Sequence, residues 1–145
     1  MPTDSYVRAA YADLLLRQAR PGEALALLQG RESFEPLLLR IAIAQRQLHD
    51  PQLAQSSARL RNAFAAEAQR GEAVHRREQA RFLLEVEDQP NLSLVAALQN
   101  WAVQREPDDV LVLVSAARAA GNPEAAQPAF DFVRTQGQSD VRVER

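Results

Sequence analysis

From about Asp4 the apolar residues Val7, Ala10, Tyr11, Leu14 and Leu15 recur at spacings of three and four, which places them on one face of a helix. The pattern stops at "RQARPGEA", where Pro21 suits the first turn of a second helix and Glu23 favours its positive end. Leu25, Leu27 and Leu28 carry that short helix to Gly30. A third helix is predicted over about Glu35–Leu48. "HDPQ" then repeats the punctuation, with Asp50 as N-cap and Pro51 opening a fourth helix that runs toward Gly71. The fifth covers about Glu72 to Glu87, "DQPN" makes the next break, and the sixth carries Trp101 up to Pro107. Asp108 and Asp109 cap the seventh, "GNPEA" at 121–125 breaks it, and the eighth ends near Gly137. The tail over 138–145 alternates like a strand with no second strand to pair with, and is expected to be extended or frayed.

About eight helices joined by loops of a few residues pack as antiparallel neighbours, so the fold class expected is all-α, with roughly three-quarters of the chain helical. Small residues recur within these hairpins. Ala12 and Ala24 stand twelve apart across one turn, and Ala42 and Ala54 twelve apart across another. This pattern, with "WAVQREPDD" carrying Ala102 and Pro107 at a junction between units, resembles the tetratricopeptide repeat, a helix–turn–helix unit of about 34 residues. The resemblance implies antiparallel helical hairpins stacked as a right-handed superhelix over residues 1–137, followed by the tail. Ala80 is the small residue of the fifth helix, and Ser93 or Val95 stands where the third unit expects its second one. From Ala24 to Ala54 is thirty residues, four short of the family's repeat.

The charge balance limits the partners. Across 145 residues the formal net charge is −2, and the isoelectric point is near 5.7. Nucleic acid and an anionic membrane surface, which demand a basic excess, are therefore not expected as main partners. All 17 basic residues are arginine, which removes Schiff-base and lysine general-base chemistry and, with the alanine and leucine bias, is the composition of a GC-rich bacterial genome. Cysteine is absent, so thiolate sites and disulfides are excluded and the redox compartment is not legible. Cytoplasm is open as a location, as is periplasm if a signal sequence has been trimmed. No stretch approaches the roughly 18 apolar residues of a membrane span.

No catalytic set assembles, and an enzyme is not expected. Glu72 and His75 form a single Glu-x-x-His step, whereas di-iron bundles need two such steps and two more glutamates. His49 lies in a turn. No serine sits in a nucleophile elbow, and Ser56-Ser57, inside a helix, are expected to back-bond or face water. The five glycines are scattered singly, so no phosphate cradle forms and no cofactor or metal is implied. Glu85, Glu87 and Asp88 place negative charge at a helix C-terminus, an unfavourable end, and read best as a solvated cluster. Trp101, Phe82, Phe64 and Phe130 are expected to fill gaps between helices.

What remains is recognition by a surface. The resemblance implies a concave groove built from the first helix of each hairpin. Carried over residue by residue, it takes Tyr6, Ala9, Asp13 and Arg17 from the first helix, Leu39, Ile43 and Arg46 from the third, Arg77, Arg81 and Leu84 from the fifth, and Val114 and Arg118 from the seventh. Chaperone-binding members of the family clamp a peptide carboxylate with lysine and asparagine. Ala9 and Asp13 stand at the first two of those places, so that activity is not implied. The groove set Asp13, Arg17, Arg46, Arg77, Arg81 and Arg118 instead suggests a protein or peptide partner, with an acidic or C-terminal segment as the natural complement to converging guanidiniums. The alternative is a structural subunit, a homo-oligomer or part of a larger envelope-associated bacterial assembly, whose apolar surface is buried by its own copies or by more of the same protein.

Overall fold

The computed structural model describes the backbone of residues 2–72 and 75–144, and side chains over 4–72 and 75–137. These residues form eight α-helices: α1 (Pro2–Arg17), α2 (Pro21–Leu27), α3 (Glu35–Gln47), α4 (Leu53–Gln69), α5 (Arg76–Glu85), α6 (Pro90–Trp101), α7 (Pro107–Ala119) and α8 (Gln127–Glu144), the last preceded by a 3₁₀ turn over Pro123–Ala126. No strand occurs among them. Proline opens α2, α3, α6 and α7 at the first or second position, where its missing N–H is one that the helix leaves unpaired in any case. At the far ends, Ala19, His49 and Asp88 adopt left-handed backbone with φ near 55–57°, and the chain reverses there: Arg20 N–H donates to Leu15 O at 2.9 Å and Asp50 N–H to Gln45 O at 2.9 Å.

Neighbouring helices pair as α1 with α2, α3 with α4, α5 with α6, and α7 with α8 and its 3₁₀ turn. A second set of contacts joins α1 to α3, α3 to α5 and α5 to α7, so the odd-numbered helices form one continuous row. The row has a buried interior on both sides of α3, whose residues from Leu37 to Gln45 are all buried except Arg40. One core cluster runs from Leu15 and Leu16 through α3 to Leu60, Phe82 and Val86. A second joins Ala80 to α6, α7 and α8 around Leu94, Trp101 and Leu113. A smaller one seats Leu37 and Ile41 of α3 against Ala12 and Leu28. Each large aliphatic chain buried in these clusters contributes about 1.5–3 kcal/mol relative to exposure.

Small residues set the closeness of the hairpins. Ala12 and Ala24, and in the last hairpin Ala117 and Ala129, are fully buried. Ser93, not the exposed Val95, faces Ala80 and donates its hydroxyl to the Ala80 carbonyl at 2.7 Å. Ala54 departs from its expected place and is exposed. The reason is local: Asp50, Pro51 and Gln52 form a turn closed by Gln52 N–H to Asp50 Oδ1 at 2.9 Å, and α4 starts only at Leu53, which leaves Ser57 and Leu60 to enter the core.

Other expectations need correction. The tail read as extended continues α8 through Glu144, because a helix satisfies its own backbone groups where a lone strand cannot. Asp108 does not cap α7. The N-cap is Glu106, whose N–H donates to Asp109 Oδ2 at 2.8 Å. Helix α5 begins at Arg76 rather than Glu72, and residues 73–74 of its predicted start lie outside the described residues. Phe130 is exposed, and Phe132 fills the gap in its place, meeting Trp101 edge-on at 5.5 Å between centroids. Phe64 and Phe82 pack together as expected, also at 5.5 Å.

Candidate functional site

The row of odd-numbered helices carries a cleft of about 230 Å³. Asp13 and Arg17 reach it from α1, Arg40 from α3, Arg77, Arg81, Leu84 and Glu85 from α5, and Asp108, Leu111, Val112 and Ser115 from α7. The spacing explains the set: 13 and 17, 77, 81 and 84, and 108, 111, 112 and 115 are three or four apart and so lie on single helix faces.

At one end of the cleft a single carboxylate gathers two guanidiniums. Asp13 accepts from Arg40 twice, Nε to Oδ1 and Nη2 to Oδ2, each at 3.1 Å, and its Oδ1 lies 2.8 Å from Arg81 Nη2. Arg81 Nε donates to Glu85 Oε2 at 2.6 Å, and Arg40 Nη1 donates to the Pro36 carbonyl at 2.9 Å. Burial disfavours ionisation of Asp13, but the pull of Arg81 and Arg40 exceeds it and holds the carboxyl below its ordinary value of 3.8. Burial likewise opposes the charge of Arg81, and Glu85 and Asp13 overcome it, pushing the guanidinium's pKa up.

The other end is built on Asp109. Its side chain is buried, and Oδ1 accepts from Asn100 Nδ2 at 2.7 Å and from Arg77 Nη1 at 3.2 Å. Arg77 Nη1 also lies 3.4 Å from Glu106 Oε2. Burial again works against the charge of Arg77, and Glu78, Asp109 and Glu106 together raise its pKa.

Four of the six groove residues read from the sequence, Asp13, Arg17, Arg77 and Arg81, therefore line one cleft. Arg77 and Arg81 are not free guanidiniums repelling one another. Each is tied to carboxylates, because a half-buried cation needs its counterion within the protein. Arg17 is exposed and pairs with no carboxylate among the described residues. Arg118 is also exposed, one turn past Ser115 and outside the cleft lining. Arg46 lies away from it too, donating to the Leu84 carbonyl at 3.3 Å and standing 3.7 Å from Asp88. Leu39 and Ile43, carried over as groove residues, are in the core. The cleft residue that α3 supplies is Arg40, one position away, a rotation of about 100° on a helix. Its signal was present: one charge inside "LLLRIAIA" has to find a partner when the helix around it is buried.

The acidic cluster at the end of α5 is not simply solvated. Glu85 binds Arg81, Glu87 binds Arg61 of α4 at 2.6 Å and accepts from the Ser57 hydroxyl at 3.3 Å, and Asp88 stands near Arg46 of α3. These links offset the unfavourable helix end. Ser57 is buried accordingly, and Ser56 beside it is buried as well. His75 Nδ1 lies 2.8 Å from Glu67 Oε1, while Glu72 pairs with Arg70, so the Glu-x-x-His spacing brings no ligand pair together. No group of three metal-ligating side chains occurs among the described residues. No helix among them is long and apolar enough to cross a membrane. No protein-family model, characterised protein or solved structure matches the chain.

Proposed function

We propose that the chain is a non-catalytic interaction scaffold, a tetratricopeptide-like array that receives a segment of a protein partner in the cleft of α1, α3, α5 and α7. The observation that carries this reading is the mixed lining of the cleft. Among the described residues, Arg17 lines it without a counterion, Arg81 Nη1 and Arg77 Nη2 make no hydrogen bond, and Leu84, Leu111 and Val112 supply an apolar wall beside them. A peptide with a carboxylate next to an apolar side chain fits both surfaces, the carboxylate on Arg17 with the spare guanidinium donors and the side chain against the leucines. Such a contact is salt-sensitive because Arg17 is open to solvent.

The test is fluorescence anisotropy with labelled peptides of three kinds: acidic with apolar residues, basic with apolar residues, and neutral polar. The acidic apolar set is expected to bind, to weaken as salt rises, and to lose affinity in Arg17→Glu. Equal binding of all three sets, no binding of any, or an Arg17→Glu variant that binds as tightly as the parent overturns the reading.

A further inference from the structure

The two halves of one interface inside the chain recur as exposed surfaces, one on α1 and one on α8. Helix α3 docks on the α1–α2 hairpin through Leu37 and Ile41, which pack against Ala12 and Leu28 with Leu25 beside them, and Ala44, three residues on from Ile41, is buried in the adjoining cluster with Leu15, Leu16 and Ala24. Ala12 and Ala42 hold equivalent places, both fully buried and thirty positions apart. That shift carries Leu37, Ile41 and Ala44 onto Val7, Tyr11 and Leu14 of α1. These three are 61%, 53% and 45% exposed, whereas their counterparts are buried. Among the described residues, helix α1 thus presents the docking stripe of α3 in exposed form.

The receiving half recurs at the other end. Ala12 and Ala24 correspond to Ala117 and Ala129, each pair twelve apart and fully buried. The same displacement carries Leu25 and Leu28, which receive α3, onto Phe130 and Val133 of α8, and these are 45% and 50% exposed. Val133 also borders an open groove of about 690 Å³ along α7 and α8, lined by Val110, Leu111 and Phe132.

We infer that the chain associates head to tail with a second copy of itself, the α1 stripe of one protomer (Val7, Tyr11, Leu14) seated on the exposed α8 face of the next (Phe130, Val133), where Val133 borders the α7–α8 groove. A second copy is the occupant to which the observations commit, because the one molecule carries both halves of a contact that it already makes internally. The contact joins two different surfaces, so it leaves a free face at each end and does not stop at a dimer. Leu111 borders both this groove and the cleft, but Phe130 and Val133, on which the contact rests, are not cleft residues, and its test reads mass rather than peptide binding.

Sedimentation velocity over about 10 to 500 µM, the range that populates weak protein contacts, tests it. For the parent, the mass is expected to rise with concentration from 16.1 kDa through the dimer and beyond. Tyr11→Arg removes the stripe and Val133→Arg the groove, so each variant alone is expected to stay monomeric. Mixed in equal amounts they retain one intact stripe and one intact groove, and are expected to form a one-to-one pair of twice the single-chain mass and nothing larger. A parent that is monomeric throughout, an assembly that survives either substitution, or a mixture that fails to pair overturns the inference. Circular dichroism establishes that both variants are folded. Leu14→Arg and Phe130→Arg replace either one that is not, with the same expected masses.

Discussion

Asp13 on α1 lies 2.8 Å from Arg81 on α5 while holding Arg40 of α3 through two hydrogen bonds, so one carboxylate ties together three helices of the row. Helices α1 and α5 have little other contact, and the charge link bridges over α3. Its removal leaves two guanidiniums facing one another in a mostly buried space. Asp13→Ala is expected to cost about 2–4 kcal/mol, less than the full penalty for a completely buried pair because the site is partly open. Asp108→Asn, on the exposed side of the same cleft, is expected to stay within about 0.5 kcal/mol. Urea denaturation of the two variants checks the contrast, and similar midpoints would mean that the bridge contributes nothing.

The same carboxylate sets a pH dependence. Its folded-state pKa is depressed below the ordinary 3.8, with burial opposing and Arg81 and Arg40 prevailing. The unfolded chain therefore takes up the proton first as pH falls. The stabilisation from Asp13 is complete well above 3.8 and is lost as pH drops below it through the folded-state value. Stability measured from pH 7 to pH 2 is expected to fall more steeply for the parent than for Asp13→Asn in the acid part of that range. Parallel curves for the two proteins contradict this origin.

Arg77 and Arg81 act differently from Arg17. Arg77→Glu together with Arg81→Glu places new carboxylates beside Asp109, Asp13 and Glu85, and is expected to lower stability by about 3–5 kcal/mol or more rather than leave the fold untouched. Arg17→Glu is expected to shift stability by no more than about 0.5 kcal/mol, since the side chain is exposed. Thermal melts separate the cases, and a double variant that melts like the parent would show these arginines to be dispensable for packing.

The helices were legible because their signals are local: prolines at the first turn, turn residues between units, and apolar spacing of three and four. Ala12, Ala24 and Ala42 were found for the same reason, since a small residue recurring across a turn reflects the approach of two backbones. Ala54 was misplaced because helix α4 starts two residues later than Pro51 suggests, and a shift of that size turns a residue from one face to another. The cleft was half legible. Arg77 and Arg81 share a face by spacing alone, but their partners Asp13 and Asp109 come from other helices, and no spacing reveals a contact between α1 and α5. Arg40 was missed by one position, which on a helix separates core from cleft.

The alanines give a packing test. Leucine at Ala12, Ala42 or Ala117 inserts a side chain where no exposed surface remains, and each change is expected to cost about 1–3 kcal/mol. Leucine at exposed Ala54 or Gln52 is expected to have almost no effect. Denaturant midpoints for the five variants decide it, and an equal cost at Ala54 and Ala42 would contradict the observed start of α4.

Asp109 holds the junction between α6 and α7. Its carboxylate accepts from the Asn100 amide at 2.7 Å, from Arg77 at 3.2 Å and, at the first turn of its own helix, from Glu106 N–H at 2.8 Å. All three donors lose their partner in Asp109→Ala. Asn100 is buried, so its amide is left without a partner away from bulk solvent, Arg77 keeps only its outer contacts, and the N-terminus of α7 loses a negative charge where the helix favours one. Asp109→Asn keeps the shape and one acceptor oxygen but surrenders the charge, so it is expected to cost about 1–2 kcal/mol, against about 3–5 kcal/mol for alanine. In Asn100→Ala, Asp109 retains Arg77 and the backbone donor, and the cost is expected to lie near that of Asp109→Asn. Combining Asn100→Ala with Asp109→Ala is expected to cost less than the two single changes added together, because the second substitution removes a group already left without its partner. Strict additivity in urea denaturation would show that the two side chains do not act as a unit, and the account of the α6–α7 junction given by their 2.7 Å contact would fail.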